Sequence, residues 1–309
     1  MKTPVALIIF NRTDTTEKVF AAIRQAQPPK LFVIADGPRH DKIGEAHKCA
    51  ATRSIIDRVD WECEVITNYS DINLGCRLRI SSGINWVFTQ VEEAIILEDD
   101  CLPEPTFFTF CEEMLARYKS DTRIMAIAGS NYQFGRRRTT DSYYFSRYPH
   151  CWGWATWRRA WQYFDIDMKL WASVRDGNWL RDILNDDAEV KIWQKTFEGA
   201  YDRTISTAWS YHWTFACWIQ SGLTILPNVN SISNIGFGVG ATHTNDPSNK
   251  LANMSVEAID IPLQHPQFVV RDSVADRSTY KNVFDFSLPV RLKNALVRYG
   301  LYPISKSSS

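Results

Sequence analysis

Three carboxylates follow one another at Glu98, Asp99 and Asp100, directly after the apolar run Ala94, Ile95, Ile96 and Leu97. A short apolar run bounded by polar residues reads as a buried strand. In an open α/β sheet, ligands bind just beyond the carboxyl ends of the strands. The acids are therefore delivered to the place where such folds do their chemistry. Three adjacent acids repel one another unless a cation or hydrogen-bond donors balance them. Hard divalent ions such as Mg2+ or Mn2+ prefer oxygen ligands, often one or two carboxylates together with a phosphate. A solvated acidic turn is the plainer reading of an isolated triplet, and the other chemistry-bearing stretches decide between the two.

Gly236, Gly238 and Gly240 place three glycines within five residues, and His243 follows. Such a stretch lets backbone approach a ligand closely and lets a loop move. His243 reads either as a metal or phosphate ligand or as a hydrogen-bonded surface group. Ten of the twelve tryptophans fall between Trp152 and Trp218. Aromatic faces suit the apolar side of a sugar ring, and large rings also build cores. Core is the expectation for any single tryptophan, with an acceptor-binding role for one or two members of the cluster.

The elements that must position these residues alternate. Strands are expected at 5–10, 31–35, 64–67, 95–97 and 124–128. Helices are expected after Asp14, which pairs with Glu17 as a capping box, across 43–59, on the stripe Ile80, Ile84, Val87 and Phe88, and on Phe107, Cys111, Met114 and Leu115. Strand–helix alternation of this kind means a mostly parallel sheet covered by helices. Each strand also ends in a polar group: Asn11, Asp36, the acidic triplet, and Ser130 with Asn131. Several strands doing so on one edge point to a site. Neither G-x-G-x-x-G nor G-x-x-x-x-G-K-[ST] occurs, which speaks against a dinucleotide fold and a P-loop. Residues 224–227 read as an edge strand closed by Pro227, and Arg136, Arg137 and Arg138 as a solvated, mobile loop.

Composition narrows the partners. Thirty-five Lys and Arg against 35 Asp and Glu give no net charge for nucleic acid. The seven cysteines are scattered without a C-x-x-C, which fits a reducing cytosol rather than a disulfide framework or zinc site. The amino terminus reads as a first strand rather than a signal peptide, and no run approaches the roughly 20 apolar residues of a membrane span. Residues 288–309 carry Arg291, Lys293, Arg298 and Lys306 and no acid. That segment reads equally as a peripheral contact with the inner face of an anionic membrane or as a helix docked on the domain.

Together these residues resemble a nucleotide-sugar glycosyltransferase of the GT-A type, and more narrowly the N-acetylglucosaminyltransferase I family and its bacterial, family 2-like relatives. The resemblance covers most of residues 3–245. Its most specific element is Glu98-Asp99-Asp100 with the helix behind it, which looks like the family's E-D-D variant of the D-x-D signature. The resemblance implies an α/β GT-A fold with a nucleotide-sugar-binding half at 1–135, a Trp-rich acceptor-binding half at 136–250 and a C-terminal extension at 251–309. It implies that Asp100, with His243, holds Mn2+ or Mg2+. Asn11, Arg12, Asp36, Arg77, Glu98, Asp99, Gly238 and Gly240 would contact a nucleotide-diphosphate sugar, a UDP-sugar being favoured. Trp152 and Trp154 would face a glycan or lipid-linked acceptor. The implied activity is inverting, metal-dependent transfer of a hexosyl or N-acetylhexosaminyl group in the biosynthesis of a polysaccharide or other glycoconjugate.

One departure stands out. The family places its base in a Trp-Asp pattern, and the matching stretch here reads Trp209-Ser210-Tyr211. A serine hydroxyl is a poor general base without a partner. Ser210, His212 and Asp202 therefore stand as catalytic candidates. The alternative is a catalytically disabled carbohydrate- or nucleotide-sugar-binding protein on the same scaffold. A nucleotidyltransferase is the third reading, but Asn11-Arg12-Thr13-Asp14 does not supply the basic glycine-rich loop such enzymes use.

Overall fold

The computed structural model describes residues 1–204, 208–238 and 249–285. The first half runs β1 (Val5–Ile9), α1 (Thr13–Ala26), β2 (Lys30–Ala35), α2 (Glu45–Arg53), β3 (Glu64–Tyr69), α3 (Gly75–Gln90), β4 (Glu93–Glu98), β5 (Cys101–Pro103), α4 (Thr106–Arg117) and β6 (Ile124–Ala128). The second half continues with β7 (Tyr143–Ser146), β8 (Trp154–Trp157), α5 (Arg158–Trp161), α6 (Trp171–Asp176), α7 (Leu180–Leu184) and α8 (Asp187–Tyr201). It ends with α9 (Ser210–Ile219), β9 (Leu223–Pro227), β10 (Ile232–Asn234) and α10 (Ser273–Thr279).

Eight strands form one mixed sheet in the order β3-β2-β1-β4-β8-β6-β9-β7. β3, β2, β1 and β4 are mutually parallel. β8 runs against both β4 and β6. β9 is parallel to β6, and β7 closes the edge antiparallel to β9. The fold is therefore α/β with a mostly parallel central sheet flanked by helices. The reversed β8 has a direct consequence for the site. Ile96 pairs with Trp154, so Trp152 and Gly153, which precede β8, come level with the end of β4.

Strand alternation sorts the apolar residues onto two faces. Val5, Leu7 and Ile9 enter one core with Phe107, Phe110 and Met114 of α4. Ala6 and Ile8 enter the other with Trp154, Trp161, Trp193, Trp213 and Trp218. Central strands buried on both faces read as continuous apolar runs, which is why β1 and β4 are legible without alternation.

Four expectations need correction. α1 begins at Thr13, so Asp14 lies inside its first turn and does not cap it; Arg12 holds the cap position without a side-chain cap bond, its guanidinium being turned toward Asp99 and Asp100. The helix expected over 43–59 is an α-helix to Arg53 followed by a 3-10 turn, Ser54–Arg58. Strand β9 is not an edge: β7 covers it, and Pro227 is tolerated as its last residue opposite Tyr143. The arginine loop is tied down. Arg138 donates through Nε and Nη2 to Asp272 at 2.9 and 3.0 Å, and Arg137 pairs with Glu257. Those partners lie more than a hundred residues away in the chain. Residues 288–309 fall outside the described residues, and no described helix is long and apolar enough to cross a membrane.

Candidate active site: a carboxylate crevice at the strand ends

β4 ends in Glu98, and the turn into β5 carries Asp99 and Asp100. β1, its parallel neighbour, ends just before Phe10, Asn11 and Arg12. Arg12 faces both aspartates: its Nη2 donates to Asp99 Oδ1, and its Nη1 lies 3.0 Å from Asp100 Oδ2. The Phe10 amide adds a bond to Asp99 Oδ2 at 3.3 Å. Asp99 is thus buried and satisfied, while Asp100 keeps the more accessible side chain. Glu98 is partly exposed and meets the indole of Trp209 at the start of α9. Burial pushes the Glu98 carboxyl upward, and the neighbouring Asp100 and Asp99 push it further. Burial also raises Asp99, opposed chiefly by Arg12. Three carboxyl groups thus face one guanidinium, and the cluster retains an electrostatic demand for positive charge.

Asp36 sits at the end of β2, but its carboxylate is already full. Oδ1 accepts from the amides of Gly37 and Leu74, and Oδ2 from the Gly75 amide and Asn73 Nδ2, at 2.9–3.1 Å. An ionised carboxylate offers about four acceptor positions, and here four donors fill them. Asp36 ties the entry of α3 to the end of β2, and in this conformation it has no lone pair left to read a nucleotide base. The nucleotide-sugar contact expected of Asp36 therefore meets a carboxylate engaged within the scaffold.

β10 pairs antiparallel with β5, setting Asn234 opposite Cys101, and the Ile235 amide donates to the Asp100 carbonyl at 2.9 Å. This delivers Gly236 onto the acid pair. A Cβ at Gly236 would lie 2.1 Å from Asp100 Oδ2 and 2.6 Å from Arg12 Nη1. Gly238 adopts φ +129° with open space around it. Beside Arg12 opens a cavity of ≈ 570 Å³ whose wall includes Asn11, Arg39, Lys42, Lys48, Gly236 and Phe237. Glu45 organises that wall by accepting from Asn11 Nδ2 at 2.9 Å and pairing with Arg39, whose hydrogen bonds lower its carboxyl to about 2.

The remaining candidates divide. Ser210 is the first residue of α9, partly exposed and next to the Trp209 that reaches Glu98, so it lies at the rim of the crevice. His212 does not. It is 1% exposed, packs near Phe164, and burial lowers it to about 4. An imidazole so held is both inaccessible and a weak base, because burial penalises the cation it would form. Asp202 is the exposed C-cap residue that follows α8, and no described contact links it to the acids. Arg77 has a buried Nη1 without a partner, and burial, with Arg203 nearby, lowers it. Trp154 is 1% exposed and packs against Trp161, Trp209 and Trp213. It is core and cannot offer a face to an acceptor. Trp152 is half-buried at the level of the Glu98 turn, edge-on to Phe237 and Tyr132. Gly240 and His243 lie outside the described residues.

Sequence reasoning did not single out Gly236, Trp209, Asn73, Arg39 with Glu45, or Lys48 as site residues. Gly236 belongs to the glycine-rich stretch that precedes His243. The others carry no spacing signal, since they meet the site only through sheet order. Among the described residues no group of three His, Cys, Asp or Glu forms a preformed metal cage. All seven cysteines are free.

Neither a protein-family model nor a curated protein sequence matches the chain. The fold is similar to that of a mannosyltransferase from Pyrobaculum calidifontis in complex with GDP-Man and Mn2+, at 13% identity over 50% of this chain and 45% of that one, with a TM-score of 0.36. It is also similar to a 4-diphosphocytidyl-2C-methyl-D-erythritol synthase from Anaerococcus prevotii, at 12% identity over 64% and 83% of the two chains and a TM-score of 0.33. A cytidylyltransferase from Leptospira borgpetersenii is 10% identical over 53% and 64%, with a TM-score of 0.32. The chain thus spans less than half the length of the mannosyltransferase it matches, and the likeness is one of architecture.

Proposed function

We propose that this protein is a metal-dependent, inverting glycosyltransferase that takes a sugar from a nucleotide-diphosphate sugar and passes it to a glycan or lipid-linked acceptor. The observation that carries this reading is the Asp99–Asp100–Arg12 arrangement at the end of β4, beneath Gly236. Its donor set is hard carboxylate oxygen in excess over the one facing guanidinium, which fits Mn2+ or Mg2+ at Asp100 with phosphate oxygens completing the shell. Such an ion, when bound, would supply Lewis-acid neutralisation of the charge that develops on a departing diphosphate.

The chain's own residues have the rest to do. Asp99 fixes Arg12, and Arg12 holds Asp100 in place. Lys42 and Lys48 on the adjoining wall give the diphosphate a cationic approach. Gly236 and the residues after it bring backbone close to the anion. Trp152 and Phe237 offer aromatic edges at the level where an acceptor would enter. Ser210 occupies the rim position for activating the acceptor hydroxyl.

Isothermal calorimetry with UDP and GDP, with and without Mn2+, tests the reading. Metal-dependent binding that disappears in Asp100→Ala is expected; binding indifferent to both metal and Asp100 would sink it. The second reading, a disabled transferase that binds without turnover, is favoured by one observation. With His212 buried and no described contact tying Asp202 to the crevice, no described group is seen hydrogen-bonded to the Ser210 hydroxyl to take its proton. Turnover of a nucleotide sugar that appears in Ser210→Asp and is absent from the natural chain would establish it.

A further inference from the structure

A second cavity of ≈ 420 Å³ lies far from the acids. It opens where β9 begins, at Ser221, Gly222 and Leu223, and where β7 ends, at Arg147. β9 runs in the same direction as β4, so the start of β9 is at the opposite end of the sheet from Asp100. Its size falls in the range of small-molecule sites, roughly 300–1,000 Å³.

The lining has a definite chemistry. Arg147 is 6% exposed; its Nε faces Asp276 at 3.9 Å, and its Nη1 donates to the Ile183 carbonyl at 3.0 Å. Its Nη2 donates to Glu189 at 2.6 Å. Arg271, Nε 3.5 Å from Asp276, and the exposed Asp182 stand at the mouth. Trp179 forms part of the rim and is 58% exposed. An indole so exposed is unusual beside the buried tryptophans of the same half. It is nevertheless held in position: a Cβ on Gly177 would lie 2.4 Å from Trp179 Nε1, so glycine lets the ring lie against the chain.

Charge selects the ligand class. Glu189 and Asp276 offset the two arginines, and Asp182 adds a further negative charge, which leaves no positive excess for an anion. A neutral ligand with one apolar face and several hydroxyl groups matches this lining. The indole offers a flat apolar surface, while Asp182 accepts and Arg271 donates hydrogen bonds in planar pairs. We infer that this cavity is a saccharide-binding site for a neutral pyranose, its ring on Trp179 and its hydroxyls on Asp182 and Arg271. A site at this end of the sheet would hold a sugar remote from the acidic crevice, as a long or polymeric glycan would present it. The inference stands on the cavity alone and survives if no nucleotide sugar binds at Asp100.

The test is a titration followed by tryptophan fluorescence and by protein-observed NMR, without metal or nucleotide. Glucose, galactose, mannose and N-acetylglucosamine and their β-1,4-linked disaccharides serve as probes. Saturable binding of at least one probe is expected, weakened about tenfold or more in Trp179→Ala and likewise weakened in Asp182→Ala. Trp179 is exposed, so its replacement leaves the fold intact, and an unchanged thermal transition checks this. No saturation by any probe at about 10 mM would overturn the inference, as would equal affinity in Trp179→Ala. Displacement of the sugar by inorganic phosphate would reassign the cavity to anions, and Trp179-dependent dimerisation in sedimentation would reassign the surface to a second copy of the chain.

Discussion

The crevice at the end of β4 and the tryptophan layer beneath the sheet are both products of burial, yet burial does opposite things in them. In the crevice it confines Glu98 and Asp99 beside Asp100 and leaves a surplus of negative character. In the layer it packs Trp154, Trp161, Trp209 and Trp213 against one another at centroid distances of 5.1–6.1 Å, and Trp209 reaches from it to Glu98. An unbalanced site asks for a partner, and a closed aromatic layer supplies the rigidity that keeps the site unbalanced. Abundance of a residue type in the sequence is thus a poor guide to which region does the chemistry.

Core truncation should separate the two regions most sharply. Trp213 is fully buried, and Trp213→Ala should lower unfolding free energy by about 3–5 kcal/mol. Asp100→Asn, which removes one partly exposed charge from a crowded cluster, should change it by less than about 1 kcal/mol. Urea denaturation of both variants checks the contrast, and a stability loss in Asp100→Asn comparable to that in Trp213→Ala would break it.

Asp36 tests the boundary between scaffold and site. Asp36→Ala would strand the buried amide of Gly37 and the partly buried amides of Leu74 and Gly75, and a cost of about 2–3 kcal/mol follows from unpaired polar groups. Hydrogen exchange at the start of α3 should accelerate. If stability is unchanged and only nucleotide affinity falls, Asp36 is a ligand after all.

Much of the crevice was legible because two strands announce themselves. β1 and β4 are continuous apolar runs, and the polar residues after them fall at one sheet edge in any parallel arrangement. The pairing of Arg12 with both aspartates was not legible, nor was the placing of Trp152 level with Glu98. Both depend on sheet order: β1 beside β4, and β8 inserted antiparallel between β4 and β6. Trp154 shows the limit from the other side. Trp152, two residues earlier, lies before β8 in the turn level with Glu98 and edge-on to Phe237, whereas Trp154 is the first residue of the strand itself and is packed among Trp161, Trp209 and Trp213.

The histidines carry the comparison into pH. Burial lowers His212 to about 4 from an ordinary 6.5, and His150 to about 3. The folded state therefore binds fewer protons than the unfolded chain between those values. This contribution to stability is complete above about pH 6.5 and is lost as pH falls toward 4, by about 1–3 kcal/mol for His212. Burial raises Glu98 and Asp99, so their contribution has the opposite sign and falls as pH rises. His212→Phe should flatten the acid side of the stability curve measured as urea midpoints from pH 7 to pH 4.5. A slope identical to that of the natural chain would show that His212 titrates normally.

The last contrast is the most informative about binding. Gly236 has its backbone against two side chains: an added Cβ would lie 2.1 Å from Asp100 Oδ2, 2.6 Å from Arg12 Nη1 and 2.7 Å from Asp100 Cβ. The two ends can swing aside but the Asp100 Cβ cannot, so the chain must shift locally and Gly236→Ala should cost about 1–3 kcal/mol of folding free energy. That shift takes Asp100 and Arg12 out of the geometry that the backbone bond from Ile235 to Asp100 and the pairing with Asp99 otherwise hold. A displacement of about 1 Å at a positioning group is enough to cost on the order of 100-fold in function. Manganese-dependent affinity for a nucleoside diphosphate should therefore fall in Gly236→Ala by far more than the modest drop in its thermal transition accounts for. Equal losses in both would mean that the chain after β10 is part of the scaffold, and no loss in either would mean that the crevice does not use the Arg12–Asp100 pair.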